Sequence, residues 1–226
     1  MTRAAALPLA RLLQLASPAL PVGAFSYSQG VESAVEAGIV RDRASAVRWV
    51  GDVAALSLAR WELPLLARLI AAWRARDANA AATINARFLA SRESAELRAE
   101  TVQMGYSLAR LAAQLPIEGH ESLEALEEPA FPTAYAFAVA AWGVPEREAL
   151  VAYLWSWMEN AVMAAVKCVP LGQTDAQRLL SELGETIAEH VDRAALLGDD
   201  ELANFAPGLS LASSRHETQY SRIFRS

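Results

Sequence analysis

The chain has 226 residues, 54% of them hydrophobic and 20% charged, a formal net charge of −6 and one cysteine, Cys168. This length can bury roughly 70% of the unfolded surface in one core, and an alanine- and leucine-rich composition favours helices. The acidic balance, without a long Lys/Arg block, argues against a nucleic-acid partner; a lone cysteine excludes an internal disulfide and fits a reducing cytoplasm.

In chain order, a short helix is expected around Leu9–Ala16, stopped at Ser17-Pro18 because the residue before proline is pushed out of helical geometry. The apolar stretch Leu7–Leu15 is broken by Pro8, Arg11 and Gln14, unlike a signal peptide. Pro18, Pro21 and Gly23 then stiffen a loop. Ser26-x-x-Gln29 reads as a capping box opening a helix to about Ala37, which Gly38 can close. Arg43–Leu58 and Trp61–Arg76 are amphipathic: Trp49, Val53 and Leu56 share one face, and so do Leu65, Leu66, Leu69 and Trp73. Pro64 is tolerated in the first turn of the second of these.

Ala80–Ala90 and Ser94–Leu115 continue the pattern, with Leu97, Thr101, Met104, Leu108 and Leu111 on one stripe. Gly119–Pro132 reads as a surface loop with room for one helical turn. Thr133–Trp142, Pro145–Val166 and Thr174–Leu197 follow, the last behind a second capping-box pattern, Thr174-x-x-Gln177. Ala149–Val166 approaches membrane length, but Glu159 and Asn160 sit within it and Trp155 and Trp157 are central, so a buried bundle helix is expected, with no membrane partner. Its apolar girth places it at the centre of the assembly. Gly198–Phe205 links to a last helix near Leu209–Ser214. The expectation is an all-α single-domain helical bundle of about nine or ten helices over 1–226, with 1–8 and 216–226 as candidate flexible tails.

Few chemical constellations survive inspection. His216-Glu217 begins a zinc-protease pattern, yet its second imidazole position is Tyr220. Neither G-x-x-x-x-G-K-[ST] nor G-x-G-x-x-G occurs, so nucleotide chemistry belongs on a partner. His120, His190 and His216 are scattered, and Glu32/Glu36 and Glu96/Glu100 read as solvated helix faces, so no permanent metal site is expected. Two readings stay open for Lys167: a cation complementing a helix C-terminus, or a partner contact held by a buried helix. Two also stay open for the loop with Phe25, Ser26, Tyr27, Ser28 and Gln29: a stiff packed connection, or a contact surface. Trp142, Trp155 and Trp157 read as core, or as the pocket of a small-molecule-binding helical regulator. The stretch Ser213–Ser226 carries Arg215, Tyr220, Arg222, Phe224 and Arg225 without glycine or proline. Guanidinium groups and aromatic rings anchor interfaces, so a docking segment is expected, loose until a partner orders it.

Long ordered strings point to one family. They are Leu13 through Ser17, Pro21 through Glu32, Ala34 through Gly38, Arg92-Glu93, Glu96-Leu97-Arg98, Trp157 through Lys167, Val169 through Gln173, and Arg215 through Ser226. Together they resemble the urease accessory proteins of the UreF family; Ala24 departs where a second glycine is usual, Cys168 where leucine is, and Gly119–Pro132 lies outside the likeness. The resemblance implies an all-helical homodimer that catalyses nothing itself. It bridges UreD (also called UreH) and the GTPase UreG in a complex that inserts nickel into apo-urease. No cofactor is bound permanently: nickel is handled by the complex and GTP by UreG. Carried over position by position, the partner-binding residues are Phe25, Ser26, Tyr27, Ser28, Gln29, Glu32, Lys167, Arg215, His216, Glu217, Gln219, Tyr220, Arg222 and Arg225.

Overall fold

Helix α9 (Glu146–Cys168) is the axis on which the other elements pack. The computed structural model describes residues 3–226, with side chains from residue 6 onward. Around α9 lie α1 (Arg3–Ala16), α2 (Val31–Glu36), α3 (Arg43–Val53), α4 (Leu63–Arg74), α10 (Gln173–Gly184) and α11 (Ile187–Ala194). Neighbours on several sides require apolar residues on several faces, and Ala149, Leu150, Tyr153, Leu154, Met158 and Val162, spread round more than half of the helix, are all buried. Among the described residues α9 alone is long and apolar enough to cross a membrane, and more than half of that stretch is buried within the protein. No strand occurs among the described residues, and the architecture is one compact all-α domain.

A second layer is built by α5 (Ala78–Ala90), α6 (Ala95–Gln114) and α8 (Phe131–Ala141), with α4 and α6 both packed on α8. Ser94 caps α6, its Oγ accepting the Leu97 N–H at 3.1 Å, and Leu97, Thr101, Met104 and Leu108 form the buried stripe the spacing predicts. The Ser94 hydroxyl also meets the Ser213 hydroxyl on α12 (Pro207–His216). Ser94→Ala is therefore expected to lower stability by about 1 to 2 kcal/mol, as a urea titration would read it. The 119–132 segment holds the single turn α7 (Glu121–Glu124).

Local expectations fail where backbone geometry overrides pattern. The first helix runs back through Pro8 to Arg3, the strong helix formers alanine and leucine on either side offsetting the lost N–H bond and the crowding that an interior proline brings. Residues 1–2 of the candidate N-terminal tail lie outside the described residues. The break expected near residues 58–61 is absent: α3 passes into a π-helical stretch, Ala54–Glu62, and then into α4 without interruption. Wide π turns are frequent at functional positions. Here the stretch ends at Glu62, which is turned into the protein interior.

Neither capping box forms. A 3-10 turn over Ala24–Ser26 precedes two successive left-handed residues, Gln29 (φ 51°) and Gly30 (φ 80°), and α2 starts only at Val31. Ser28 serves instead, its Oγ accepting the Glu32 N–H at 3.2 Å. Helix α10 starts behind Gly172 without a side-chain cap, and Glu185-Thr186 separates it from α11. Gly38 does close α2, at φ 71°, with the Ile39 N–H reaching the Ala34 carbonyl at 2.9 Å.

Candidate functional site

Helix α12 lies directly on the start of α2. A Cβ on Gly30 would stand 3.1 Å from the Leu209 side chain and 3.3 Å from that of Ala212, so the left-handed glycine serves both the turn and the close approach. This packing delivers His216, at the end of α12, into the interior. The imidazole is fully buried between two carboxylates: Nδ1 is 2.6 Å from Glu96 Oε2 and Nε2 is 3.2 Å from Glu32 Oε2.

Beyond His216 the chain turns back, and Arg222 holds the turn. Its guanidinium donates to Glu96 Oε1 at 2.7 Å and to the backbone carbonyls of Gln219 and Glu217 at 2.8 and 3.1 Å. Glu32 then receives the returning segment, its two oxygens accepting the N–H groups of Ile223 at 2.7 Å and Phe224 at 2.9 Å. The Phe224 ring is buried with the Lys167 ammonium 5.1 Å from its centroid. Arg225 donates its N–H to the Ser26 carbonyl at 2.8 Å, and Ser28 donates both its N–H (2.8 Å) and its hydroxyl (2.6 Å) to the backbone oxygen of Ser226. The stretch 216–226, expected to stay loose until a partner orders it, is thus packed on its own chain, because its N–H groups and one ring find buried partners there.

The last link reaches α6. The Ser226 hydroxyl donates to Glu100 Oε2 at 2.8 Å; the other Glu100 oxygen accepts from the Gln29 amide, whose carbonyl in turn accepts the Trp157 indole N–H. Asn160 fixes the loop from α9, donating to the Tyr27 carbonyl at 2.9 Å. Burial pushes the Glu100 carboxyl up to about 7, against the opposing pull of the Gln29 and Ser226 hydrogen bonds and of Arg92. A neighbouring buried pair is better compensated. Arg92 donates to Glu62 at 2.7 Å, Tyr153 donates to the other Glu62 oxygen at 3.0 Å, and Arg92 lies 4.2 Å over the Phe88 ring. Beneath the loop 17–25 is a cavity of about 390 Å³ lined by Leu20, Val22, Met104, Tyr135 and Trp157, with Glu62, Arg92 and Glu100 among its polar lining.

The two sequence regions singled out at opposite ends of the chain are therefore one physical unit, a clasp. Ser26, Ser28, Gln29, Glu32, Lys167, His216, Arg222 and Arg225 meet in it, and Gln219 and Glu217 brace the turn. Glu217 also caps α6, accepting the Ala95 N–H at 2.7 Å. Tyr27, Ser28, Glu32 and His216 are buried, whereas Phe25 (66%), Tyr220 (102%), Arg215, Arg225 and Lys167 are exposed. Sequence reasoning missed Glu96 and Glu100, reading them as a solvated face. The available signal was position, since Glu100 lies between Leu97, Thr101 and Met104 on the apolar stripe of α6.

The sequence model of the UreF family matches residues 40–184. The chain is 60% identical over 225 residues to the urease accessory protein UreF of Azoarcus sp. (strain BH72), covering 97% of this chain and 96% of that protein. It is 53% identical over 224 residues to the protein of the same name from Dechloromonas aromatica (strain RCB), covering 97% and 98%, and 50% identical over 222 residues to that from Nitrosospira multiformis (strain ATCC 25196 / NCIMB 11849 / C 71), covering 96% and 97%. With a family match across most of the bundle and relatives this similar over nearly their full length, the chain belongs to the UreF family of urease accessory proteins.

Proposed function

We propose that this chain is a non-enzymatic adaptor of urease maturation. It acts in the cytoplasm as a homodimer that joins UreD/UreH and the GTPase UreG in the complex that inserts nickel into apo-urease. GTP is bound and hydrolysed by UreG, and nickel is cargo of the complex rather than a resident cofactor. The observation that carries the reading is the clasp. It holds exposed arginines and aromatic side chains on a buried, hydrogen-bonded foundation, which lowers the ordering cost of docking. Glu32, Ser28 and His216 position that surface from below, and Phe25, Lys167, Arg215, Tyr220 and Arg225 are the groups available to partners.

Co-expression with UreD, UreG and urease, followed by weighing of the complexes and assay of nickel-dependent activity with and without GTP, tests this. Stoichiometric complexes and GTP-dependent activation are expected; GTP hydrolysis by the isolated chain would overturn the adaptor role. Lys167→Ala should cut activation several-fold while lowering Tm by only about 2 °C, since an exposed cation–π contact contributes roughly 0.5–1 kcal/mol. A large fall in Tm would instead make Lys167 a structural helix stop.

A second reading, a small-molecule-binding helical regulator, has the cavity of about 390 Å³ in its favour, with Trp157 in its wall. A ligand-dependent change in tryptophan fluorescence of the isolated chain would support it.

A further inference from the structure

The buried Glu100 carboxylate has no cation in direct contact. Its oxygens meet only the Gln29 amide and the Ser226 hydroxyl, both uncharged. Arg92, on the segment after α5, is directly paired with Glu62 of the π-helical stretch, so its pull on Glu100 is offset by the charge of Glu62. Tyr27 faces Glu100 from the loop before α2 as a neutral phenol, whose ionisation burial and Glu100 itself oppose. Trp157, from α9, reaches it through Gln29. Elsewhere in the tail, the Arg222 charge is engaged by Glu96, and the His216 ring lies between Glu96 and Glu32.

This surrounding suits a neutral carboxyl as well as an anion. A protonated Glu100 keeps both contacts: one oxygen accepts from Gln29, and the other, as O–H, donates to Ser226 Oγ, which can accept. Only the anion carries the penalty of burial. Opening admits water to the anion and removes that penalty. The two groups Glu100 holds are also the two that can let go. Gln29 is a non-glycine residue at φ 51°, a left-handed conformation that persists only while its surroundings enforce it. Ser226 is the anchor of the tail on Ser28. The loop they secure covers the interior cavity, whose wall includes Gln29 and Glu100.

We propose that Glu100 is a proton-operated latch: protonated, it holds the Gln29 turn and the Ser226 anchor closed over the cavity, and ionised, it lets both go. The direction follows from linkage. The carboxyl sits at about 7 when closed and near the ordinary value of 4.5 when wetted, so the closed form binds the proton more tightly. Closure is fully favoured below about 4.5, is lost progressively as pH rises towards 7, and changes no further above that. Across this window the ratio of open to closed forms should rise by roughly two orders of magnitude.

Hydrogen exchange on the full-length isolated chain reads this without any partner, so its failure would leave the adaptor reading standing. The reporters are the N–H groups of Ser28, Ile223, Phe224 and Arg225, corrected for intrinsic exchange at each pH. Their protection is expected to fall by tenfold or more between pH 5 and 7.5, while core amides of α9 hold theirs. Glu100→Gln keeps shape and hydrogen bonding without the charge, and should show high, pH-independent protection. A flat wild-type profile would overturn the latch, as would an equal slope in E100Q, which would assign the effect to a group other than Glu100. Should E100Q fail to fold, NMR titration of the Glu100 side-chain carboxyl in the wild type decides the matter. A midpoint near neutrality that coincides with the loss of protection supports the latch, and a midpoint in the ordinary carboxylate range overturns it.

Discussion

Glu32→Ala is expected to free the segment 216–226 and to lower stability by about 3 kcal/mol. Three donors converge on this carboxylate: the N–H groups of Ile223 and Phe224 and the His216 ring. Removing it strands them in a buried setting, where each unsatisfied group costs about 1–3 kcal/mol. The loss is capped because the tail can detach and recover water, at the expense of the burial of Phe224. Two measurements separate this from general unfolding. Trypsin should cut at Arg222 and Arg225 far faster than in the wild type, while circular dichroism retains its helical signal, since Glu32 ties α2 only to the end of α12 and to the tail. Rapid cutting should be matched by loss of complex formation with UreD or UreG. A variant whose tail stayed protected would show that the clasp is held by its other bonds.

Gly105→Ala should be the more damaging to the bundle, by about 4 kcal/mol and a Tm fall of roughly 10 °C. A Cβ at this point of α6 would stand 1.9 Å from the Pro129 carbonyl oxygen, 2.6 Å from the Ala130 carbonyl carbon and 2.7 Å from the Phe131 nitrogen. All three are backbone atoms leading into α8, so no side chain can swing aside. That backbone is pinned by Asn85, which donates to the Glu128 carbonyl at 2.9 Å and accepts from the Ala130 N–H and the Thr133 hydroxyl, both at 2.8 Å. Relief requires pushing α8 off α6 and breaking those bonds. In an open helix the same change would stabilise by about 1 kcal/mol through helix propensity. The sign alone is therefore diagnostic, and thermal melts of the purified variant suffice. A neutral or stabilised protein would mean that α6 and α8 are further apart than described.

Helix identity was legible wherever one face meets a core. The spacing of Leu97, Thr101, Met104 and Leu108 located the inner face of α6, and the apolar girth of Ala149–Val166 located the central helix. What escaped was set by backbone detail or by distant chain. Nothing in Ala54–Glu62 distinguishes π from α winding, because both keep similar apolar residues inside. Ser26-x-x-Gln29 satisfied the letter of a capping box, yet Gln29 and Gly30 adopt left-handed angles, and the close approach of α12 leaves no room for a side chain at Gly30. The clasp was half visible. Arginines and aromatic residues marked the tail, and family resemblance added Glu32 and Lys167, but periodicity could not show what would cover Glu96 and Glu100. Two carboxylates one turn apart usually face water; here a segment more than a hundred residues away lies over them.

The bonds between Ser28 and Ser226, and between Glu32 and Phe224, span 198 and 192 residues of chain. At translation rates of 5–20 residues per second, the loop emerges from the ribosome roughly ten to forty seconds before its counterpart. Throughout that wait Glu32 and Glu100 lack the hydrogen-bond partners that the tail supplies. A nascent chain can therefore bury its α9 core well before the clasp is able to close.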